Sequence, residues 1–481
     1  MSKLEPKIKF GTDGWRGVIS EDFTFRNVRR VAQAIADYYN RQTGKQANRQ
    51  TKIAVGYDTR FLSDRYAKEV SQALAKNGID VILSDRAIPT PMLSFAVKNK
   101  KLTSGVMITA SHNPAEYNGI KIKTSSGAAA GLEVTDEIEK LLSHASCLIH
   151  HTLGRIKEED LTGDYISFLK SYIDLRRFKN AKFKVLVDPM YGSGNGFIAD
   201  ILKGTKIKLE FMRSDVNPSF AGIRPEPVLE NLRPTLERLK KEKFDLCLVL
   251  DGDADRIACF AGRGVFISPQ KILGLLTLHL SQDRKMSGGV VKTIVGTTLI
   301  DKITQQLNLR LFETPVGFKY ISALMEKENV LVGGEEAGGI GFKGYIPERD
   351  GTLAGLLLLE MMIYRNKTML EILNEMEDRF GRYYYLREDL ELQAPCLSLP
   401  RRQAGGRQAS SKLQDLKNLK KILGKEVVEV KDYDGIKLIC SDESWLMFRA
   451  SGTEPLIRVY AESGDLKRSE KLIEFGKGLI L

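Results

Sequence analysis

Cysteine is scarce and unpatterned in this 481-residue chain: Cys147, Cys247, Cys259, Cys396 and Cys440 are odd in number, scattered, and form no Cys-x-x-Cys pair. That argues for a reducing compartment and against a zinc site. No apolar run reaches the ~18 residues of a membrane-spanning helix. The opening "MSKLEPKIKF" lacks the apolar region of a secretory leader. The expectation is a cytoplasmic protein that binds no membrane. Zinc-finger, RRM and basic-zipper patterns are absent as well. The formal net charge of +12 is therefore assigned to solvated helix faces such as "LRPTLERLKKEK", or to attraction of small anionic substrates, and not to nucleic acid.

The chain is too long for one core, and a prior of ~150 residues per domain predicts three or four. With 42% hydrophobic and 28% charged residues, it has the composition of a globular protein. Three segments share a layout of apolar strand, glycine-rich or polar turn, and amphipathic helix. They are "TKIAVGYDTRFLSDRYAKEVSQALAKNGIDVILS", "FKVLVDPMYGSGNGFIADIL" and "GGVVKTIVGTTLIDKITQQL". Short apolar strands feeding helices predict α/β domains with parallel sheets covered on both sides. In the first segment the helix is expected to cap at Ser63, bury Tyr66, Val70 and Leu74, and stop at Gly78. Breaks in the rhythm place boundaries at 1–155, 156–262, 263–378 and 379–481. The last segment reads as a smaller α+β domain, with "PRRQAGGRQASSK" (400–412) a surface loop.

Four stretches could carry chemistry. "ITASHNPAEYNGIKI" sets Ser111 just past the carboxyl end of a strand, where open α/β sheets bind ligands. No nearby Asp or second His completes a hydrolase triad. A serine already carrying a phosphoryl group needs only cations and donors, and His112 and Lys121 are suitable; a plain Asn-Gly turn is the other reading. "FDLCLVLDGDADRIACF" ends a buried strand with Asp251, Asp253 and Asp255 at alternate positions. Carboxylates that close repel unless a cation sits among them, and oxygen-only ligands suit Mg²⁺. The alternative is a solvated acidic turn. "VLVGGEEAGGIGFKGYIPERDG" brackets Glu335 and Glu336 with glycines, a pattern suited to gripping sugar hydroxyls or simply to a glycine-rich turn. In "WLMFRASGTEPLIRVYAES", Arg449, Ser451, Gly452 and Thr453, with Arg458 beyond, make either an anion nest or a hairpin turn.

In this order the segments resemble the alpha-D-phosphohexomutase family, which includes phosphoglucomutases and phosphomannomutases. "FGTDGWRG" (10–17), "VGYDTRFLS" (55–63), "TASHNP", "DGDADR", "TPVGFKYI" (314–321), "GEEAGG" and "RASGTEP" each match a family signature, and together they cover essentially the whole chain. The resemblance implies three similar α/β domains with mixed, mainly parallel sheets and a smaller C-terminal lid around a central cleft. It implies a phosphorylated Ser111 that joins Asp251, Asp253 and Asp255 as Mg²⁺ ligands. Arg16, Arg60 and His112 would lie around the transferring phosphoryl, and Lys121 would be the general acid/base. Arg256, Lys319, Glu335 and Glu336 would contact substrate, and Arg449, Ser451, Gly452, Thr453 and Arg458 its existing phosphate. The implied reaction interconverts hexose 1-phosphate and hexose 6-phosphate through a hexose 1,6-bisphosphate, which also serves as activator, in a monomer or weak dimer.

One departure concerns the sugar loop. The family commonly reads Gly-Glu-x-Ser-Gly followed by histidine; here Ala337 and Gly339 take the serine and histidine positions. Glucose is the expected sugar, with mannose or glucosamine phosphate as alternatives. A Mg²⁺ phosphatase with an aspartyl nucleophile leaves the serine loop unexplained. A non-catalytic sugar-phosphate binder rests on the altered sugar loop alone.

Overall fold

The computed structural model describes residues 8–11, 13–43, 50–142, 153–391, 415–450 and 456–480. They fall into two compact units. One holds the chain up to Ser287 together with Gly317–Ile372, the other Gly288–Val316 together with the chain from Leu373. The loop expected at 400–412 lies outside the described residues, as do Cys147 and Cys396. Cys247, Cys259 and Cys440 are buried free thiols. Among the described residues no helix is long and apolar enough to cross a membrane.

The first sheet contains β1 (Trp15–Val18), β2 (Lys52–Tyr57), β3 (Asp80–Ser84), β4 (Ser104–Ile108), β5 (Tyr117–Lys123) and β6 (Ile156–Glu159), in the order β1-β5-β4-β2-β3-β6. Strands β4, β2, β3 and β6 run parallel, and β5 and β1 join antiparallel, so the sheet is mixed. The helix Ser63–Lys76 buries Tyr66, Val70 and Leu74 at the spacing one helical face requires. Gly78 follows in a left-handed conformation, φ +77°. Ser63 is not the helix cap: Leu62 precedes the helix at φ 60° without a side-chain cap, and the Ser63 hydroxyl donates to Asp58 Oδ1 at 2.7 Å. Asn118-Gly119 is not a turn either. Both lie inside β5, where a Cβ on Gly119 would stand 2.6 Å from the carbonyl oxygens of Thr109 and Trp15. Glycine is there for close strand approach.

The second sheet holds β7 (Lys184–Asp188), β8 (Lys208–Phe211), β9 (Leu246–Leu250), β10 (Ile257–Ala261) and β11 (Val265–Ile267), in the order β11-β10-β9-β7-β8. All five residues of β9, "LCLVL", are buried, as a central strand covered on both faces requires. The glycine-rich stretch 262–264 is the turn of the β10–β11 hairpin. Further along, β12 (Gly289–Thr293) and β13 (Leu311–Thr314) pair in parallel in the second unit. β14 (Val330–Gly334) and β15 (Ile340–Phe342) pair antiparallel in the first.

The C-terminal domain is an antiparallel sheet of β16 (Tyr384–Glu391), β17 (Lys421–Ile422), β18 (Lys425–Lys431), β19 (Ile436–Cys440), β20 (Trp445–Ala450) and β21 (Leu456–Ser463). Period-two alternation in β20 loads both faces. Leu446 and Phe448 pack with Leu472, Ile473 and Ile480 of the helix Leu466–Ile480. Trp445 and Met447 pack with Ile294 and Val295. The molecule thus has three α/β domains with mixed sheets and a C-terminal antiparallel-sheet domain, the architecture the sequence predicts.

Candidate active site

Ser111 follows β4 by three residues, is 1% exposed, and takes a left-handed φ of 53°. A non-glycine residue held there costs roughly 1–3 kcal/mol, so its surroundings must over-determine it. Arg60 and Asp58 do so. The Arg60 guanidinium donates to four carbonyls of the loop, those of Ser111 (2.6 Å), Asn113 (2.5 Å), Pro114 (2.7 Å) and Tyr117 (3.1 Å). Its Nε pairs with Asp58 at 3.2 Å. Asp58 also accepts from Thr109 Oγ1 (2.6 Å), and Thr109 Oγ1 in turn accepts from the Ser111 amide at 2.8 Å. "VGYDTRFLS" therefore builds the shelf under the serine: Arg60 donates to the loop backbone beside Ser111, the residue the resemblance implies is phosphorylated. Arg16 Nη1 reaches the same loop through Asn113 Oδ1 at 2.5 Å.

The Ser111 hydroxyl points at the acidic cluster, donating to Asp251 Oδ2 at 2.9 Å. His112 Nδ1 lies 3.5 Å from the Ser111 hydroxyl oxygen. Burial, reinforced by Arg256, Arg16, Arg224 and Lys121, holds the His112 imidazole well below its usual pKa. Asp251, Asp253 and Asp255 are fully buried and offer oxygens within 4.8 Å of one another. Burial and then its two neighbours push the Asp251 carboxyl well up. Asp253 is held down despite burial, chiefly by Lys121. Oδ1 of Asp253 and Oδ1 of Asp255 are buried without a hydrogen-bond partner. Orphaned carboxylate oxygens in one tight cluster, with no nitrogen or sulfur donor among them, fit a hard cation such as Mg²⁺.

Lys121, on β5, is 1% exposed and lies 2.8 Å from Asp253, 2.8 Å from Asp255 and 2.9 Å from Asp13. Burial would depress its pKa, but the three carboxylates outweigh it and push the ammonium up. Thr90 anchors the triad from the other side, donating its hydroxyl to Asp253 Oδ2 at 2.5 Å and its amide to the Asp253 carbonyl at 3.1 Å.

Backbone pairing joins the sugar loop to the metal loop: Arg256 bridges Gly339, and the Ile257 amide donates to the Gly338 carbonyl at 3.1 Å. Glu335 is buried, and Arg349 Nη1 donates to its Oε2 at 3.2 Å. Arg349 Nη2 also reaches Asp13 (2.6 Å) and Asp255 (2.7 Å), so one guanidinium ties three loops together. Room for it comes from Gly339, where a Cβ would meet Arg349 Cδ at 2.1 Å. Burial, outweighing Arg349, pushes the Glu335 carboxyl up to about 7. Arg256 lies 3.5 Å from Glu226 and 3.9 Å from Asp255. Glu336 is half-buried beside Glu335, and the Lys319 ammonium lies 5.2 Å from the Tyr320 ring centroid.

In the second unit, Arg449 and Arg458 stand directly opposite each other on β20 and β21. Arg449 Nε pairs with Asp434 Oδ1 at 3.0 Å, and Arg458 Nε lies 3.5 Å from Asp389. Ser451, Gly452 and Thr453 lie outside the described residues. Sequence reasoning quoted the segments holding Asp13, Asp58 and Arg349 without assigning these residues a role. A signal existed for Asp13, which precedes Gly14: that glycine has φ +96° and a Cβ on it would lie 2.3 Å from the Ile120 carbonyl oxygen, so the chain at Gly14 lies close against β5.

A serine over a buried carboxylate triad, on three α/β domains followed by an antiparallel-sheet domain, is the arrangement of a phosphoryl-transfer enzyme, and comparison with known proteins fixes the family. Models of the phosphoglucomutase/phosphomannomutase alpha/beta/alpha domains I, II and III match residues 7–146, 163–264 and 268–380, and the C-terminal domain model matches 406–475. The chain belongs to this family, the alpha-D-phosphohexomutases, whose members are Mg²⁺-dependent intramolecular phosphotransferases acting on phosphosugars. It is 30% identical to a phosphoglucosamine/phosphogalactosamine mutase of Sulfurisphaera tokodaii and 28% identical to a phosphoglucomutase/phosphomannomutase of Thermococcus kodakarensis, each over 98% of both chains. A solved protein of Thermus thermophilus, assigned as a phosphomannomutase, superposes with a TM-score of 0.85 at 33% identity, covering 99% of this chain and all of that one.

Proposed function

We propose that this phosphohexomutase interconverts hexose 1-phosphate and hexose 6-phosphate, with glucose the favoured sugar, through phosphorylated Ser111 and a hexose 1,6-bisphosphate that also primes the enzyme. The observation that carries the reading is the Ser111 hydroxyl, held at φ 53° and 2.9 Å from Asp251 of the buried triad. The divisions 1–155, 156–262, 263–378 and 379–481 are proposed as the four domains, each contributing one loop.

In the forward direction the bond between Ser111 Oγ and phosphorus breaks, and a new one forms between phosphorus and the free hydroxyl of the hexose 1-phosphate. The bisphosphate then turns end for end, and its other phosphoryl returns to Ser111. One Mg²⁺ on Asp251, Asp253, Asp255 and the seryl phosphate would supply charge stabilisation to the transferring oxygens. Arg60 fixes the serine loop, while Arg16 and His112 border the phosphoryl. Ser111 Oγ leaves by taking a proton from the acid–base group that we assign to Lys121, held as an ammonium among Asp13, Asp253 and Asp255, and the proton of the attacking hydroxyl restores that ammonium. Glu335, aimed by Arg349, and Glu336 accept hydroxyls of the sugar, and Arg256 and Lys319 contact the substrate. Arg449 and Arg458, with Ser451, Gly452 and Thr453, grip the phosphate that is not transferring.

The test is kcat/KM for glucose, mannose and glucosamine 1-phosphates with Mg²⁺ and the matching bisphosphate. Glucose turned over best supports the sugar assignment; glucosamine preferred by tenfold or more overturns it and leaves the reaction class standing.

A further inference from the structure

Two arginines directly opposite on neighbouring strands repel each other, and like charges at such a site are destabilising unless something compensates. Arg449 and Arg458 form such a pair on β20 and β21. For Arg449 the compensation is Asp434, which sits in the turn between β18 and β19. Asp434 Oδ1 accepts from Arg449 Nε at 3.0 Å, and Oδ2 accepts from the Val316 amide at 2.7 Å. The turn is built for this contact. Gly435 follows at φ +102°, and a Cβ there would lie 2.4 Å from the Phe448 carbonyl oxygen and 3.2 Å from Arg449 Cβ. A larger residue would push Asp434 off the arginine. Among the described residues, Asp434 is the one ion-pair partner of Arg449. Because it engages Nε, the two terminal Nη groups keep their fork for two oxygens of a phosphate.

We propose that Asp434 is the positioning residue of the phosphate grip: a single carboxylate aims Arg449 through Nε while the Val316 amide of the same unit holds its other oxygen. Val316 is the last residue of its stretch in the second unit, and Gly317 follows at φ +131°. This inference rests on the assignment of Arg449 to the substrate's phosphate.

The experiment is a double-mutant cycle on the full chain, with KM and kcat measured for glucose 1-phosphate and glucose 6-phosphate at saturating Mg²⁺ and glucose 1,6-bisphosphate. Asp434→Asn keeps an acceptor for Val316 and removes the charge facing Arg449. It is expected to raise KM for both substrates roughly ten- to a hundredfold, the span of a charge-assisted hydrogen bond, with kcat little changed. On the Arg449→Ala background the same change is expected to have no further effect. An Asp434→Asn effect of equal size on both backgrounds marks a merely structural residue and overturns the proposal, as does unchanged KM on the wild-type background. If Arg449→Ala alone leaves KM unaltered, the phosphate assignment itself has failed, and that arm shows it independently of Asp434. Should Asp434→Asn not fold, Asp434→Glu keeps the charge one methylene out of place; an intermediate rise in KM supports the proposal, and wild-type KM contradicts it.

Discussion

Ser111 owes its place to others: an arginine on four carbonyls, a threonine under its amide, an aspartate in front of its hydroxyl. Removing the hydroxyl leaves the arginine and threonine contacts in place and breaks the bond to Asp251. Ser111→Ala is expected to keep the thermal midpoint within a degree or two of wild type while lowering mutase turnover at least ~10⁴-fold, read by a coupled assay beside calorimetry. Arg349 behaves in the opposite way. Its loss takes the ion pair from Glu335 and leaves Asp13 paired with Lys121 and Asp255 with Lys121 and Arg256, and breaking a buried pair typically costs about 3–5 kcal/mol. Urea unfolding of Arg349→Ala should show a loss of that order. Glu335 supplies a pH signature. Its carboxyl, raised to about 7 mainly by burial, accepts sugar hydroxyls more strongly once ionised. Apparent KM is therefore expected to fall as pH rises from 6 to 8, and Glu335→Gln should have a higher KM without that slope.

At the scale of elements, a glycine in β5 and a lysine in β19 of the C-terminal sheet carry the sharpest expectations. Gly119→Ala would drive a methyl against two backbone carbonyls that cannot yield, and overpacking of this kind costs about 1–3 kcal/mol. A drop in the chemical-denaturation midpoint checks it. Lys437 is buried, donates to the Ile294 carbonyl at 2.7 Å and lies 4.0 Å from the Trp445 ring centroid. Burial and then Lys292 hold its pKa down to about 7. The unfolded chain binds this proton more tightly than the folded one, so the Lys437 contribution to unfolding free energy should rise from pH 7 toward 10 and level off below 7. Lys437→Met should flatten that slope.

Elements were also where the sequence spoke most clearly. Apolar strands followed by amphipathic helices announced α/β domains because period and length are local properties, and Tyr66, Val70 and Leu74 face inward as their spacing requires. Local signals misled where a distant partner decides the outcome. Ser63 looks like a helix cap until Asp58 claims its hydroxyl, and Asn118-Gly119 looks like a turn until two neighbouring strands close on it. Arg349 and Asp13 meet across 336 positions of chain, a contact no spacing rule reaches. The aspartate triad was legible because alternate acidic residues after a buried strand have few uses. The sugar loop showed in the sequence only as a departure from the family pattern; the structure shows that the missing side chain at Gly339 makes room for Arg349.

For the molecule as a whole, four domain models in order and two relatives matched over 98% of their length place the chain among the phosphohexomutases. Within that family the account turns on Ser111 as a phosphoryl carrier. The most direct test is to incubate the protein with Mg²⁺ and glucose 1,6-bisphosphate labelled in its phosphates, map the label by peptide mass, and then add unlabelled glucose 1-phosphate. The account predicts one phosphate on the Ser111 peptide, discharged into sugar bisphosphate and glucose 6-phosphate within a turnover. A Ser111 that takes up no phosphate, or keeps it while glucose 6-phosphate still forms, would contradict it.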